Sequence, residues 1–261
     1  MDLPSIHAYL RASVSAHRDV ERVGPFLASF AKGSSNPFFN YAIPDDGAEP
    51  GPAEVVALVE AYEARGLRPR LEYVPGLAPR VERALLAAGF EAEGRLVLME
   101  PAESRPVATP AGIELVVPST DDEFLGLRKA QFEAYAEPEP PTADDAASLR
   151  RSLAAGGGAV LARTVGDRLA VGAGEFTPIV MGVSEITSIG VVPAYRRRGI
   201  AAAICARIAL DVEAAGATSP FLMANEAESR VYARVGFAPA GEMLHISRPA
   251  MPATSPRWPT R

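Results

Sequence analysis

The stretch Val191-Val192-Pro193-Ala194-Tyr195-Arg196-Arg197-Arg198-Gly199-Ile200-Ala201 constrains this chain more than any other. An extended run, Glu185 to Val192, leads into it. After it, Ile200, Ile204, Ile208 and Val212 recur every four residues, an apolar stripe on one helix face, and Gly216 stands where such a helix stops. The order is strand, basic turn, helix. Such a turn aims backbone N–H groups at an anion, and the helix N-terminus adds about half a positive charge. Gly199 lets the backbone approach a ligand with no Cβ in the way, and the arginines bring guanidinium forks suited to phosphate. A diphosphate is the expected guest. The turn lacks the Gly-Lys-Ser/Thr of a Walker loop and the Gly-x-Gly-x-x-Gly of a dinucleotide turn.

A second motif follows at a matching distance. Asn225, six residues, Tyr232 and then Gly236-Phe237 come after a predicted strand, Pro220 to Ala224. Arg196-x-x-Gly199-x-Ala201 followed by this segment resembles the GNAT superfamily of N-acetyltransferases, over roughly Ile113 to Ser247. The resemblance implies an α/β fold with a mixed sheet that binds acyl-CoA, with acetyl-CoA as cosubstrate and no metal. It implies that the amides around Arg197, Arg198, Gly199, Ile200 and Ala201, with Arg196, hold the CoA pyrophosphate. It also implies that the backbone of Val191 and Val192 pairs with the pantetheine, that Asn225 binds the cofactor, and that Tyr232 protonates the leaving thiolate. A phenol with an ordinary pKa near 10 is protonated at neutral pH, which suits it to that role. Glu185, at a spacing that resembles the strand glutamate of the histone-acetylating branch, is the candidate base, with a water as the alternative. Glu175 and His245 are weaker candidates.

Composition narrows the classes. Hydrophobic residues make up 48% and charged residues 22% of 261, as in a globular protein, and the net charge of −6 argues against a general nucleic-acid binder. The single cysteine, Cys205, sits inside the predicted helix and reads as a core residue. No apolar run approaches the ~18 residues of a membrane span, and no leader-like N-terminus is evident, so a cytoplasmic location is expected, with no membrane partner.

Taken in order, residues 3 to 32 read as two helices broken at Gly24-Pro25, and Asn36 to Pro44 as a strand. A helix from Ala53 to Arg65 turns Val55, Val56, Val59 and Tyr62 inward; a strand from Leu67 to Val74, a short helix ending at Ala88 and a strand from Gly94 to Glu100 follow. After a Pro/Ala/Ser-rich stretch come a strand at Ile113, a helix capped by Thr120 or Asp121, a helix from Asp144, and a hairpin around Val165-Gly166-Asp167. Helix Glu228 to Val235 and strand Glu242 to Ser247 close the pattern.

The two halves answer one another. Ala84 to Gly94 resembles Val231 to Gly241, and each block follows a helix stopped by glycine (Gly66, Gly216) and a strand. The first half has Pro44-Asp45-Asp46-Gly47-Ala48-Glu49-Pro50 where the second has its arginine turn, and Leu85 where the second has Tyr232. Acidic side chains there repel a diphosphate. The expected organisation is a duplicated fold: a degenerate GNAT-like domain over 1–101, a linker over 102–110, a catalytic domain over 111–248 and a disordered Pro-rich tail over 249–261.

The expected activity is transfer of an acetyl group from acetyl-CoA to a small-molecule or peptide amine by direct attack on the thioester. Another acyl-CoA, a non-amine acceptor, or a non-catalytic CoA-binding regulatory module are the alternatives. The expected assembly is a monomer or homodimer. In the resembling fold the loop that carries Glu137, Glu139, Asp144 and Asp145 borders the acceptor entrance, so these carboxylates read either as a solvated loop or as steering a cationic acceptor.

Overall fold

The structure, a computed structural model, describes residues 2–103 and 106–249. The expected tail, apart from Pro249, and positions 104 and 105 of the expected linker lie outside the described residues. The chain runs α1 (Leu3–His17), β1 (Asp19–Val23), β2 (Phe26–Phe30), β3 (Ala42–Pro44), α2 (Pro52–Glu63), β4 (Arg70–Tyr73), α3 (Val81–Ala87) and β5 (Glu91–Pro101). It continues with β6 (Ile113–Val116), α4 (Asp121–Tyr135), α5 (Ala143–Ala154), β7 (Gly158–Thr164), β8 (Ala170–Phe176), β9 (Val183–Val191), α6 (Ile200–Ala214), β10 (Ser219–Ala224), α7 (Glu226–Arg234) and β11 (Phe237–Ser247). It is a mixed α/β fold. No helix among the described residues is long and apolar enough to cross a membrane.

Two compact units result, and they do not follow chain order. One holds residues 6–95 and 242–249 of the described chain, the other residues 2–5 and 96–241. In the first, β1, β2 and β3 pair antiparallel, β3 pairs β4 in parallel, and the end of β11 pairs antiparallel with β4, from Leu244 opposite Tyr73 to Ser247 opposite Arg70. Its core gathers Phe26, Tyr62, Leu71, Tyr73 and Leu85 with Leu244 and Ile246. In the second, β6, β7, β8 and β9 pair antiparallel, β9 pairs β10 in parallel, and the end of β5 pairs antiparallel with β10. Its core packs the α6 stripe (Ile200, Ile204, Ile208, Val212) against Val160, Val171, Ile186 and Leu222. Both halves of the chain therefore repeat strand, helix, parallel strand, helix, strand, and each final strand completes the sheet of the unit it ends in.

One expectation is corrected here. Residues 19–30 form a hairpin, not a second helix. Val23 pairs with Phe26 across Gly24-Pro25, and Gly24 has φ 53°, the left-handed backbone that a tight two-residue link needs. Phe26 to Phe30 are all buried, so the apolar run is an inner strand and its helical spacing is incidental. The strand expected over Asn36 to Pro44 survives only as β3, preceded by a short 3-10 turn at Pro37–Phe39. On α2, Leu58 takes the buried position expected for Val56, which is exposed; Val55, Leu58, Val59 and Tyr62 hold the i, i+3, i+4, i+7 spacing and Val56 falls off it.

Candidate active site

Strand β9 has two sheet neighbours at its start and one at its end. Its parallel pairing with β10 runs from Val183 opposite Ser219 to Ile186 opposite Leu222. Beyond that point β9 stays with β8, while Leu222, Met223 and Ala224 of β10 pair with β5. The two strands part, leaving the β9 backbone from Thr187 onward without a sheet partner on that side. A bulge accentuates the parting: Thr187 faces Glu175 and Gly190 faces Ala173, so three steps on β9 match two on β8, and Ser188 takes φ 57°.

Helix α4 fastens this bulge. Gln131 Nε2 donates to Ser188 O (3.2 Å) and to Glu175 Oε1 (2.6 Å), and Arg128 Nη1 donates to the same carboxylate oxygen (2.6 Å). Tyr135 Oη donates to Ile189 O (3.1 Å). Glu175, a weaker candidate base, is thus a buried bracing group. His245 lies opposite Glu72 on β4, in the other unit, where burial lowers its pKa.

A cavity of about 210 Å³ occupies the parting. Glu185, Tyr135, Glu228 and Tyr232 line it with the β9 backbone, and Leu96, Leu222 and Met223 supply apolar surface. The sequence-predicted pair Glu185 and Tyr232 therefore comes together. Tyr232 is 8% exposed, and burial first, then Cys205, Glu228 and Tyr135, pushes its pKa well up. Tyr135 is half exposed, but desolvation around its hydroxyl raises it to about 12, with Glu228 and Glu175 adding to it. Cys205 is buried and raised to about 12 by desolvation, so it is a core thiol. Sequence reasoning missed Tyr135 and Glu228. Glu228 precedes Tyr232 by one helical turn, so the same-face spacing could have found it; nothing in the sequence marks Tyr135.

At its far end β9 enters the arginine turn. Arg196 is used internally: Nε donates to Val191 O (3.0 Å) and Nη2 to Ala134 O (2.7 Å). Arg198 donates to Ala194 O (3.1 Å) and lies over the Tyr195 ring at 4.7 Å. Arg197 makes no ion pair among the described residues and takes φ 61°; Gly199 follows at φ 83° as the cap of α6. Ala203 N–H closes the first bond, back to Gly199 O (3.0 Å), so the amides of Ile200, Ala201 and Ala202 precede any helical acceptor. This end of α6 fits an anion. Val192 N donates to Val171 O (3.0 Å), which commits that amide to the sheet.

The equivalent helix end in the first half is closed by its own side chain. Gly51 caps α2, its N–H donating to Glu54 Oε2 (2.8 Å), and Pro52 at the first position has no N–H to give. Asp45 bonds Arg22, and Asp46 bonds His7 and Arg11. Asn225, expected at the cofactor, caps α7: its Oδ1 accepts from Ala227 N and Glu228 N (3.0 Å each), and Glu228 Oε2 accepts from Asn225 N (3.0 Å). Only the Asn225 side-chain NH₂ remains for a ligand. The supposed steering carboxylates do not line the cavity. Asp145 belongs to the Thr142 capping box of α5 and Asp144 lies 3.7 Å from Arg151.

Residues 123–237 match the acetyltransferase (GNAT) family. No curated protein matches the chain at a significant level. A GCN5-related N-acetyltransferase from Kribbella flavida superposes with TM-score 0.79 at 24% identity, covering 96% of each chain. One from Sphaerobacter thermophilus gives 0.67 at 18%, over 87% of this chain and 78% of that one. A tandem GNAT protein from the clavulanic acid biosynthesis pathway gives 0.62 at 14%, over 87% and 79%. These structures share the fold of both halves, and the stretch that matches the acetyltransferase (GNAT) family falls on the half with the parted strands and the basic turn.

Proposed function

We propose that this protein moves an acetyl group from acetyl-CoA to a primary amine by direct attack of the amine on the thioester. The observation that carries the reading is the cavity at the parting of β9 and β10, which Glu185 and Tyr232 both line. Bound acetyl-CoA supplies the activated acyl group; the rest falls to the chain. The open amides at the start of α6, with Arg197 beside them, suit the diphosphate, and the left-handed residues 197 and 199 shape that turn. Arg196 contributes by holding the turn to β9 and α4. The unpaired edge of β9, approaching Val191, suits the extended pantetheine, because main-chain groups there lack a strand neighbour. Glu185 accepts the proton that an ammonium must lose, directly or through a water. Tyr232 donates a hydrogen bond to the sulfur as charge builds on it. With its pKa raised by burial, its proton stays on oxygen beforehand, and the bond counts for more in a poorly solvated site.

The test is release of free thiol from acetyl-CoA over a panel of amines, with mass spectrometry of the acetylated product. Amine-dependent release supports the reading. Acetyl-CoA binding with no amine-dependent release would leave a CoA-binding module without transferase activity.

A further inference from the structure

We infer that the acceptor is an amine with no carboxylate beside its nitrogen, and that Glu228 makes this selection. The inference rests on the proposed transfer to amines and names the class of acceptor.

Every charged side chain lining the cavity is acidic. Glu185 comes from β9 and Glu228 from the first turn of α7, and no Lys, Arg or His is among the lining residues. A free α-amino acid brings a carboxylate within two bonds of its amine, with no cation in the lining to receive it and two anions near it. Unpaired charge in a partly buried site is costly, and like-charge repulsion adds to the cost. An ammonium with apolar or uncharged substituents meets the opposite situation: two carboxylates attract it, two tyrosine rings offer π faces, and Leu96, Leu222 and Met223 receive its carbon body.

Glu228 is held where it can act. Its Oε2 accepts the Asn225 N–H at 3.0 Å in the α7 cap, and it stands one helical turn before Tyr232 on the face that lines the cavity. The cap fixes the carboxylate rigidly, so its charge projects from a defined point. Glu228→Gln keeps a side chain able to accept in the cap while removing the charge.

Matched acceptors test this: isoamylamine, leucine and leucinamide, and phenethylamine with phenylalanine, assayed with acetyl-CoA at saturating concentration. Leucinamide has leucine's bulk without its negative charge. The expected result is that kcat/KM for each amine and for leucinamide exceeds that of the corresponding acid by about tenfold or more, the scale of one charge contact near a protein surface. In Glu228→Gln that ratio should shrink severalfold with unchanged acetyl-CoA affinity. Free amino acids acetylated as well as their decarboxylated partners would overturn the inference while amine transfer stands. A preference that survives intact in Glu228→Gln would remove Glu228 as its source. If no compound releases thiol and none shifts the melting temperature of the CoA-loaded protein, the acceptor inference and the proposed function both fall.

Discussion

At the scale of single residues, Tyr232 and Gly199 make opposite kinds of demand on the chain. Tyr232 is a chemical group whose surroundings keep it protonated, and its ring packs near Phe237 at 6.4 Å between centroids. Tyr232→Phe keeps that packing and loses the donor. Turnover should fall by about 10²-fold or more, the usual worth of a positioned acid, with little change in acetyl-CoA affinity. Stopped or steady-state thiol release against a binding titration separates the two effects, and an unchanged kcat would leave water as the donor. Gly199 is a conformational requirement. A Cβ there would meet only Pro110 Cγ, at 3.8 Å, so the restriction comes from φ 83° and not from crowding. Gly199→Ala should therefore cost about 1–2 kcal/mol in the turn and weaken acetyl-CoA binding, while Gly199→Asn, which tolerates the left-handed region, should cost less. Equal damage from both, measured by calorimetry, would argue for a steric role instead.

At the scale of elements, the instructive contrast is between two helix starts at equivalent points of the two halves. α6 opens on amides and a glycine; α2 opens on a proline and a glycine whose N–H its own Glu54 takes. In front of α2, the turn is fixed to α1 through a buried imidazole. His7 Nε2 accepts from Val74 N (2.8 Å) and Nδ1 bonds Asp46 (2.8 Å), which Arg11 also holds (2.7 Å). Because Nε2 is the acceptor of a backbone amide, the imidazole must be neutral with its proton on Nδ1. Burial, opposed by Asp46, lowers its pKa below the ordinary 6.5. Over that interval the unfolded chain takes up a proton that the folded one refuses, so stability is complete above about pH 6.5 and declines as pH falls toward the folded-state pKa. Melting temperature should drop across that window in the parent protein, and the drop should flatten in His7→Gln. A pH profile identical in the two would show that the imidazole has the same pKa folded and unfolded.

At the scale of the whole molecule, the exchange of final strands decides which fragments can fold. Leu244 and Ile246 of β11 are fully buried in the core that holds residues 6–95, and Leu98 and Met99 of β5 are buried against β10. A fragment of residues 1–101 therefore exposes the paired edge of β4, and a fragment of residues 111–248 exposes that of β10. Neither should give a cooperative unfolding transition alone. Adding a peptide of residues 240–249 to the first fragment should restore one, by circular dichroism on heating. Cooperative folding of either fragment unaided would mean that the exchanged strands contribute little to its stability.

What the sequence determined by itself was local and periodic. The α6 stripe, the Thr120 cap, the Gly-Asp hairpin and the repeated order of elements all depend on neighbours within a few residues, and a 3.6- or 2-residue period states them directly. Two spaced motifs were enough to point to the family whose model matches residues 123–237, and the same spacing singles out Glu185 and Tyr232, which line one cavity. What only the tertiary structure decided depends on partners distant in the chain. Phe26 to Phe30 is a strand because β1 and β3 take up both its edges and both its faces are buried, overriding a spacing that also suits a helix. Arg196 turned inward because two carbonyls, Val191 O and Ala134 O, lie within reach of one guanidinium. Glu228 and Tyr135 joined the cavity because α4 and α7 converge on the parted strands, and the exchange of β5 and β11 followed from which sheet edge each strand end meets. A single sequence records side-chain chemistry and near-neighbour rhythm; it does not record which distant edges and faces find one another.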